Sequence, residues 1–104
     1  MNPEAQKIAI AKICGWKIVE CHKDKNIPTN LLAWERGPEC KMTGNLPDYP
    51  RDLNAMHEAE KFIDVIAKYT SMLLLVCGGP MSVHFATAAQ RAEAFLKTFN
   101  RWEE

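Results

Sequence analysis

The feature that most constrains the fold is the stretch 69–77 (YTSMLLLVC), which is apolar on every side if it forms a helix. A helix that is hydrophobic all round is normally buried. Met and Leu dominate, and Val76 is the one β-branched residue after Thr70, so residue preferences favour a buried helix. Periodicity alone leaves a buried strand open. Gly78-Gly79-Pro80 is expected to end the helix.

The length and charge of the chain exclude several classes of protein. The 104 residues suffice for one domain, and 13 basic residues balance 13 acidic ones. This balance argues against a strongly basic nucleic-acid binder, a polybasic membrane anchor and an acidic disordered tail. The start lacks a secretory pattern, and the longest apolar run, 72–77, is too short to span a membrane. We therefore expect a cytoplasmic protein without a membrane partner, with nucleic acid disfavoured.

Local patterns predict a single α+β or α/β domain over residues 1–104, in which helices cover a small antiparallel sheet. The first helix is marked by Asn2-Pro3-Glu4 and the last by a Thr87–Gln90 capping box. The predicted helices are 3–14, 53–77 with a break near Lys68–Tyr69, and 87–100, and the predicted strands are 16–20, 31–35 and 81–86. The apolar stripe of the first helix consists of Ala5, Ile8, Ala9, Ile13 and Cys14, and Ile10 and Ala11 broaden it.

Residues 36–52 form a candidate binding loop. Pro38, Pro47 and Pro50 exclude a helix over most of this segment, and long loops often carry binding surfaces, although they also tolerate insertions. Aromatic and arginine side chains are common anchors at protein interfaces. Together with the turn 21–30, the loop predicts a protein-binding surface whose contact residues are Trp34, Tyr49 and Arg51.

A metal or acid–base site is the alternative hypothesis for the middle of the chain. His57 and Glu60 stand three residues apart on a predicted helix, and Asp48 and Asp52 lie just upstream. Such spacing can place an imidazole and a carboxylate on one helix face as ligands. The competing interpretation is structural, with Asp52 or Asn54 capping the helix and His57 packing against the proline-rich loop.

The cysteines support no strong site. They stand at positions 14, 21, 40 and 77 without a C-x-x-C pair, which is typical of free thiols in a reducing compartment. Cys21-His22 with Cys40 offers three soft ligands, but a structural zinc site usually draws on close pairs. Phosphate-binding, nucleophile-elbow and dinucleotide motifs are missing, so no cofactor is expected and an enzyme is disfavoured.

Two segments carry a family resemblance. Residues 46–60 (LPDYPRDLNAMHEAE) resemble the central signature of the phage ABA-sandwich domain family. Residues 86–96 (ATAAQRAEAFL) with the closing Trp102-Glu103-Glu104 resemble its C-terminal segment, and the opening helix followed by Gly15-Trp16-Lys17 fits its start. The family comprises small bacteriophage and prophage proteins without an established activity.

The resemblance implies a phage origin and a layered α/β/α fold. The leading expectation is therefore a non-enzymatic accessory protein that binds a host or phage protein in the host cytoplasm. A specific version is an inhibitor of a bacterial defence system. The alternatives are a small metal-assisted enzyme built on Asp48, Asp52, His57 and Glu60, and a homo-oligomeric structural component.

Overall fold

The computed structural model describes residues 1–19, 26–28, 31–79 and 85–103. This part of the chain contains four helices and one three-stranded antiparallel sheet, which confirms the α+β class. None of the described helices is long and apolar enough to cross a membrane. The helices are α1 (Pro3–Ile13), α2 (Leu53–Glu60), α3 (Ile66–Cys77) and α4 (Ala88–Thr98), and the strands are β1 (Lys17–Ile18), β2 (Ala33–Arg36) and β3 (Glu39–Met42).

Helix α1 begins at the predicted Pro3 and ends at Ile13, one residue before the predicted end, and only part of its broad predicted stripe is fully buried. The Asn2 side chain accepts a 2.7 Å hydrogen bond from the Ala5 amide, and Gly15 at φ +94° follows the last turn. The apolar side chains of α1 surround most of the helix, so periodicity alone did not decide which of them face the core. The buried residues are Gln6, Lys7, Ile10, Ala11 and Cys14, whereas Ala5, Ile8, Ala9 and Ile13 are half-buried.

The sheet buries one face and exposes the other. Ile18 of β1 lies opposite Trp34 of β2, which lies opposite Lys41 of β3, and these three residues share the inner face. β1 lies within the predicted strand 16–20, and β2 overlaps the predicted strand 31–35. Helices cover only the inner face in the described part of the chain. The outer face carries Lys17, Glu35 and Cys40, which are all exposed.

The third strand is not the one that the sequence predicted. Of the predicted strand 81–86, residues 81–84 lie outside the described residues, and Phe85 sits in a turn with its side chain 82% exposed rather than inward. The third strand is instead β3, inside the segment expected to be a loop. A two-residue turn, Gly37-Pro38, joins it to β2 with Gly37 at φ +60°. Glycine at positive φ is the usual requirement of such hairpins.

The long middle helix is broken at 61–65, not near Lys68–Tyr69. Residues nine apart in one continuous helix would lie about 14 Å apart along its axis. The break instead turns Ile63 into the core and brings the Tyr69 hydroxyl within 2.6 Å of the Glu60 carboxylate. The polar contact between Tyr69 and Glu60 therefore accompanies the break. Residues 61–65 contain no Gly or Pro, so the local sequence does not indicate a break at this place.

Helix α4 is the centre of the helical layer. The predicted capping box is present, with the Gln90 amide donating to Thr87 Oγ1 at 3.1 Å and the Thr87 amide donating to Gln90 Oε1 at 2.9 Å. The helix ends at Thr98, slightly before the predicted residue 100. Helices α1, α2 and α3 all pack against it. Helical spacing predicts an apolar stripe of Ala88, Ala92, Phe95, Leu96 and Phe99, and the structure buries all of these except Phe99, which is half-buried.

Candidate interaction surface

Two of the three predicted contact residues belong to the core. The Trp34 side chain is 1% exposed, and its indole Nε1 donates a 2.8 Å hydrogen bond to Thr43 Oγ1. Tyr49 is 2% exposed. A partner cannot reach either side chain in this conformation. Arg51 is exposed and lies 3.3 Å from the Asp48 carboxylate, so contact through Arg51 stays a prediction.

Tyr49 and Cys14 meet where α1 ends. Burial raises the pKa of the Cys14 thiol to about 11, although hydrogen bonding with Tyr49 and the nearby Arg36 charge oppose the rise. Burial, followed by the Cys14 charge, also raises the pKa of Tyr49. The thiolate is the nucleophilic form of cysteine. Because Cys14 stays a thiol at neutral pH, this pair serves packing and not covalent chemistry.

The predicted metal ligands have separate partners. Asp52 caps α2 by accepting from the Asn54 and Ala55 amides at 3.0 and 3.4 Å. Asp48 pairs with Arg51, and His57 Nδ1 lies 3.0 Å from Glu60 Oε1. Among the described residues, no group of three or more His, Cys, Asp or Glu side chains could hold a metal ion. The structure thus brings together only His57 and Glu60.

Glu60 is the junction of three helices. Its Oε2 atom accepts from the Tyr69 hydroxyl of α3 at 2.6 Å and from Arg91 Nη1 of α4 at 3.0 Å. The Glu60 and Arg91 side chains are each 18% exposed, so solvent screens their charges only partly. Burial, followed by the hydrogen bond to Glu60, raises the pKa of Tyr69. Glu60 Oε2 therefore joins α2 to α3 and α4, while Glu60 Oε1 contacts His57 within α2.

No local pattern indicates the Glu60–Arg91 pair. Arg91 lies 31 positions after Glu60, and helical spacing alone places it outside the apolar stripe of α4. The pair forms only because α2 and α4 pack against each other.

An unpartnered apolar surface lies on α3. We define the outer face of α3 by Ile66, Ala67, Thr70, Ser71, Leu74 and Leu75, which occupy about half of the helix circumference. Leu75 is 77% exposed and Ile66 is 59% exposed. The opposite side of the helix is buried through Tyr69 and Leu73. The described residues thus leave most of the outer face of α3 uncovered.

The polar atoms of this outer face are already used within the helix. Thr70 Oγ1 donates to the Ile66 carbonyl and Ser71 Oγ to the Ala67 carbonyl, both at 3.0 Å. None of the six residues that define the outer face is charged, and the nearest charged residue on the helix, Lys68, lies at the border of this face. Val65, which immediately precedes α3 and is 55% exposed, extends the apolar surface at its start. The surface can therefore be buried without leaving a side-chain donor or charge unsatisfied.

Comparisons with known proteins identify no relative: no family model, no curated protein and no solved structure matches this chain.

Proposed function

We propose that this chain is a small phage-encoded accessory protein that binds another protein through the outer face of α3. The observation that carries the proposal is that α3 is apolar on all sides and covered on one. Large exposed apolar surfaces mark interaction sites in soluble proteins. Fully burying one leucine side chain stabilises a complex by about 1.5–3 kcal/mol before the cost of association is counted. Leu75 alone exposes most of its surface.

The chemistry of the outer face of α3 limits which kinds of partner surface can bind to it. The face presents methyl groups, internally satisfied hydroxyls and no charge. A phosphate backbone or an acidic segment would lose hydration there without gaining a cation. The partner surface that fits is uncharged and apolar, such as the exposed stripe of a helix or the floor of a groove.

The resemblance to phage proteins supports a narrower proposal, in which the chain is made by a phage and binds a protein inside the bacterial host. A phage accessory protein acts in the cytoplasm of its host, and its protein partner is encoded by the host or the phage. Inhibition of a bacterial defence system is one such action. The metal-assisted enzyme is not favoured, because Asp52 and Glu60 are occupied in capping α2 and joining helices.

Site-specific crosslinking tests the proposal. A photo-reactive amino acid replaces Ser71 in the full chain, and crosslinked proteins are captured from a bacterial lysate and identified. The captured protein is then purified, and its affinity is measured for the wild type, Leu75→Glu and Leu53→Glu. Leu53 is also an exposed apolar residue, 42% accessible, but it lies on α2 and provides a matched control.

The expected result is that Leu75→Glu weakens binding by more than about tenfold, while Leu53→Glu changes it by less than about twofold. Equal affinity of all three proteins would exclude the outer face of α3 as the binding surface. Crosslinking of the chain to itself would instead identify the homo-oligomer, whose mass sedimentation measures at several concentrations.

A further inference from the structure

A cleft separates the half-buried stripe of α1 from the inner face of the sheet. Its volume is about 520 Å³. One wall is formed by Ile8, Ala9 and Ile13 of α1, and the other includes the half-buried Ile18 of the sheet, with Trp34, which is 1% exposed, bordering the cleft. This site lies outside the surface proposed for protein binding, and its assignment does not depend on that proposal.

Two apolar walls that face each other across an open space are unusual in a protein. Protein interiors are packed as densely as organic crystals, and helices normally close onto sheets. Here Ile8, Ala9 and Ile13 follow the helical spacing of a core stripe, yet they are only half-buried. Pockets of a few hundred cubic ångströms with apolar walls and a few polar groups are typical of small-molecule sites.

The polar groups at the cleft determine the charge of its occupant. Among the described residues, Lys12 and Arg101 line the cleft together with one carboxylate, that of Glu103. Neither cation forms an ion pair with any side chain in the described ranges, which leaves both free to bind an anion. The cleft therefore combines an apolar body with an excess of positive charge.

We propose that this cleft binds an aliphatic carboxylate, with the hydrocarbon chain between α1 and the sheet and the carboxylate at Lys12 and Arg101. The chain would cover apolar side chains that are now half-exposed, and the head group would remain partly hydrated. Burial of methylene groups drives such binding, and the two cations select the negative head group over neutral or positive ones.

The test uses the purified chain and three amphiphiles below their micelle concentrations: decanoate, decanol and decyltrimethylammonium. Binding is measured by calorimetry and by tryptophan fluorescence, because Trp34 lines the cleft. The expected result is saturable binding of decanoate that is at least about tenfold tighter than that of decyltrimethylammonium.

Three variants locate the binding site. Lys12→Glu with Arg101→Glu is expected to weaken decanoate binding by about tenfold and to change decanol binding by less than about twofold. Ala9→Phe fills the cleft and is expected to weaken both ligands by at least about tenfold. Lys17→Glu, on the outer sheet face, is the charge control and is expected to leave both affinities unchanged.

Two outcomes would overturn the proposal. One is the absence of saturable decanoate binding to the wild type. The other is binding that Ala9→Phe and the double charge reversal leave unaltered, which would place decanoate elsewhere. The melting temperature of each variant shows that a loss of binding does not reflect a loss of folding.

Discussion

The Tyr69 hydroxyl donates a 2.6 Å hydrogen bond to the Glu60 carboxylate across the turn that separates α2 from α3. The same carboxylate oxygen accepts from Arg91 of α4 at 3.0 Å. One side chain therefore fixes the relative positions of three helices, including α3, whose outer face we propose as the binding surface. The stability and geometry of that surface depend on this junction.

Glu60→Gln is expected to destabilise the protein by about 2–4 kcal/mol, because it leaves the largely buried Arg91 without its counter-charge. Urea unfolding followed by circular dichroism measures the change. Glu58→Gln is the matched control, since its 72% exposed side chain pairs with Lys61 on the surface. We expect Glu58→Gln to lower the free energy of unfolding by less than about 0.5 kcal/mol. Equal losses for the two variants would contradict the junction.

Tyr69→Phe removes only the hydroxyl and is expected to cost about 1–2 kcal/mol, because the ring still fills its place in the core. In the Glu60→Gln background the same substitution is expected to cost less, since the charged acceptor is gone. The double-mutant cycle measures this coupling free energy. A coupling energy near zero would show that the hydrogen bond does not stabilise the fold.

Trp34→Ala is expected to cost about 3–5 kcal/mol, because Trp34 is a fully buried core residue and not a surface contact. Leu75→Ala is expected to change the free energy of unfolding by less than about 0.5 kcal/mol, since Leu75 is 77% exposed. Chemical denaturation of both variants measures the contrast. The opposite order of effects would mean that the core is assigned incorrectly.

Gly37→Ala is expected to destabilise the β2–β3 hairpin by about 1 kcal/mol. The added methyl group meets no atom within 4 Å, so the cost comes from the φ of +60° alone. Gly44→Ala also meets no atom within 4 Å, but Gly44 is not among the positive-φ glycines, which makes it the matched control. Thermal unfolding of the two variants is expected to lower the melting temperature only for Gly37→Ala.

Stability is expected to fall as the pH rises above about 9. The pKa of Cys14 is raised from 9.0 to about 11 in the folded state, so the unfolded chain loses the thiol proton at a lower pH than the folded chain. Alkaline solution therefore stabilises the unfolded state relative to the folded state. The contribution is complete below pH 9.0 and is lost as the pH approaches about 11, with a limiting slope of about 1.4 kcal/mol per pH unit.

Unfolding free energies at pH 8, 9 and 10 test this pH dependence. Cys14→Ala is expected to flatten the decline between pH 9 and 10, whereas Cys40→Ala, at an exposed position, is expected to retain it. A wild-type stability that does not change over this range would contradict the assignment of the slope to Cys14.

The local elements were predictable because their determinants are close in sequence. Asn2 with Pro3, the Thr87–Gln90 capping box and the stripe of α4 depend on residues within a few positions, and all of them are present. The sequence also contained the signal for β3, because Gly37-Pro38 is a two-residue turn between two extended segments. Glycine and proline are equally typical of irregular loops, so this pair alone does not distinguish a hairpin from a loop.

The tertiary structure alone decided which apolar surfaces are covered. It placed Trp34 and Tyr49 in the core, ended α2 at Glu60, paired Glu60 with Arg91, and left the outer face of α3 and the cleft beside α1 open. Each of these features depends on contacts between residues far apart in the chain. Periodicity reports that a side chain is apolar, whereas only the packing of the other elements determines whether anything covers it.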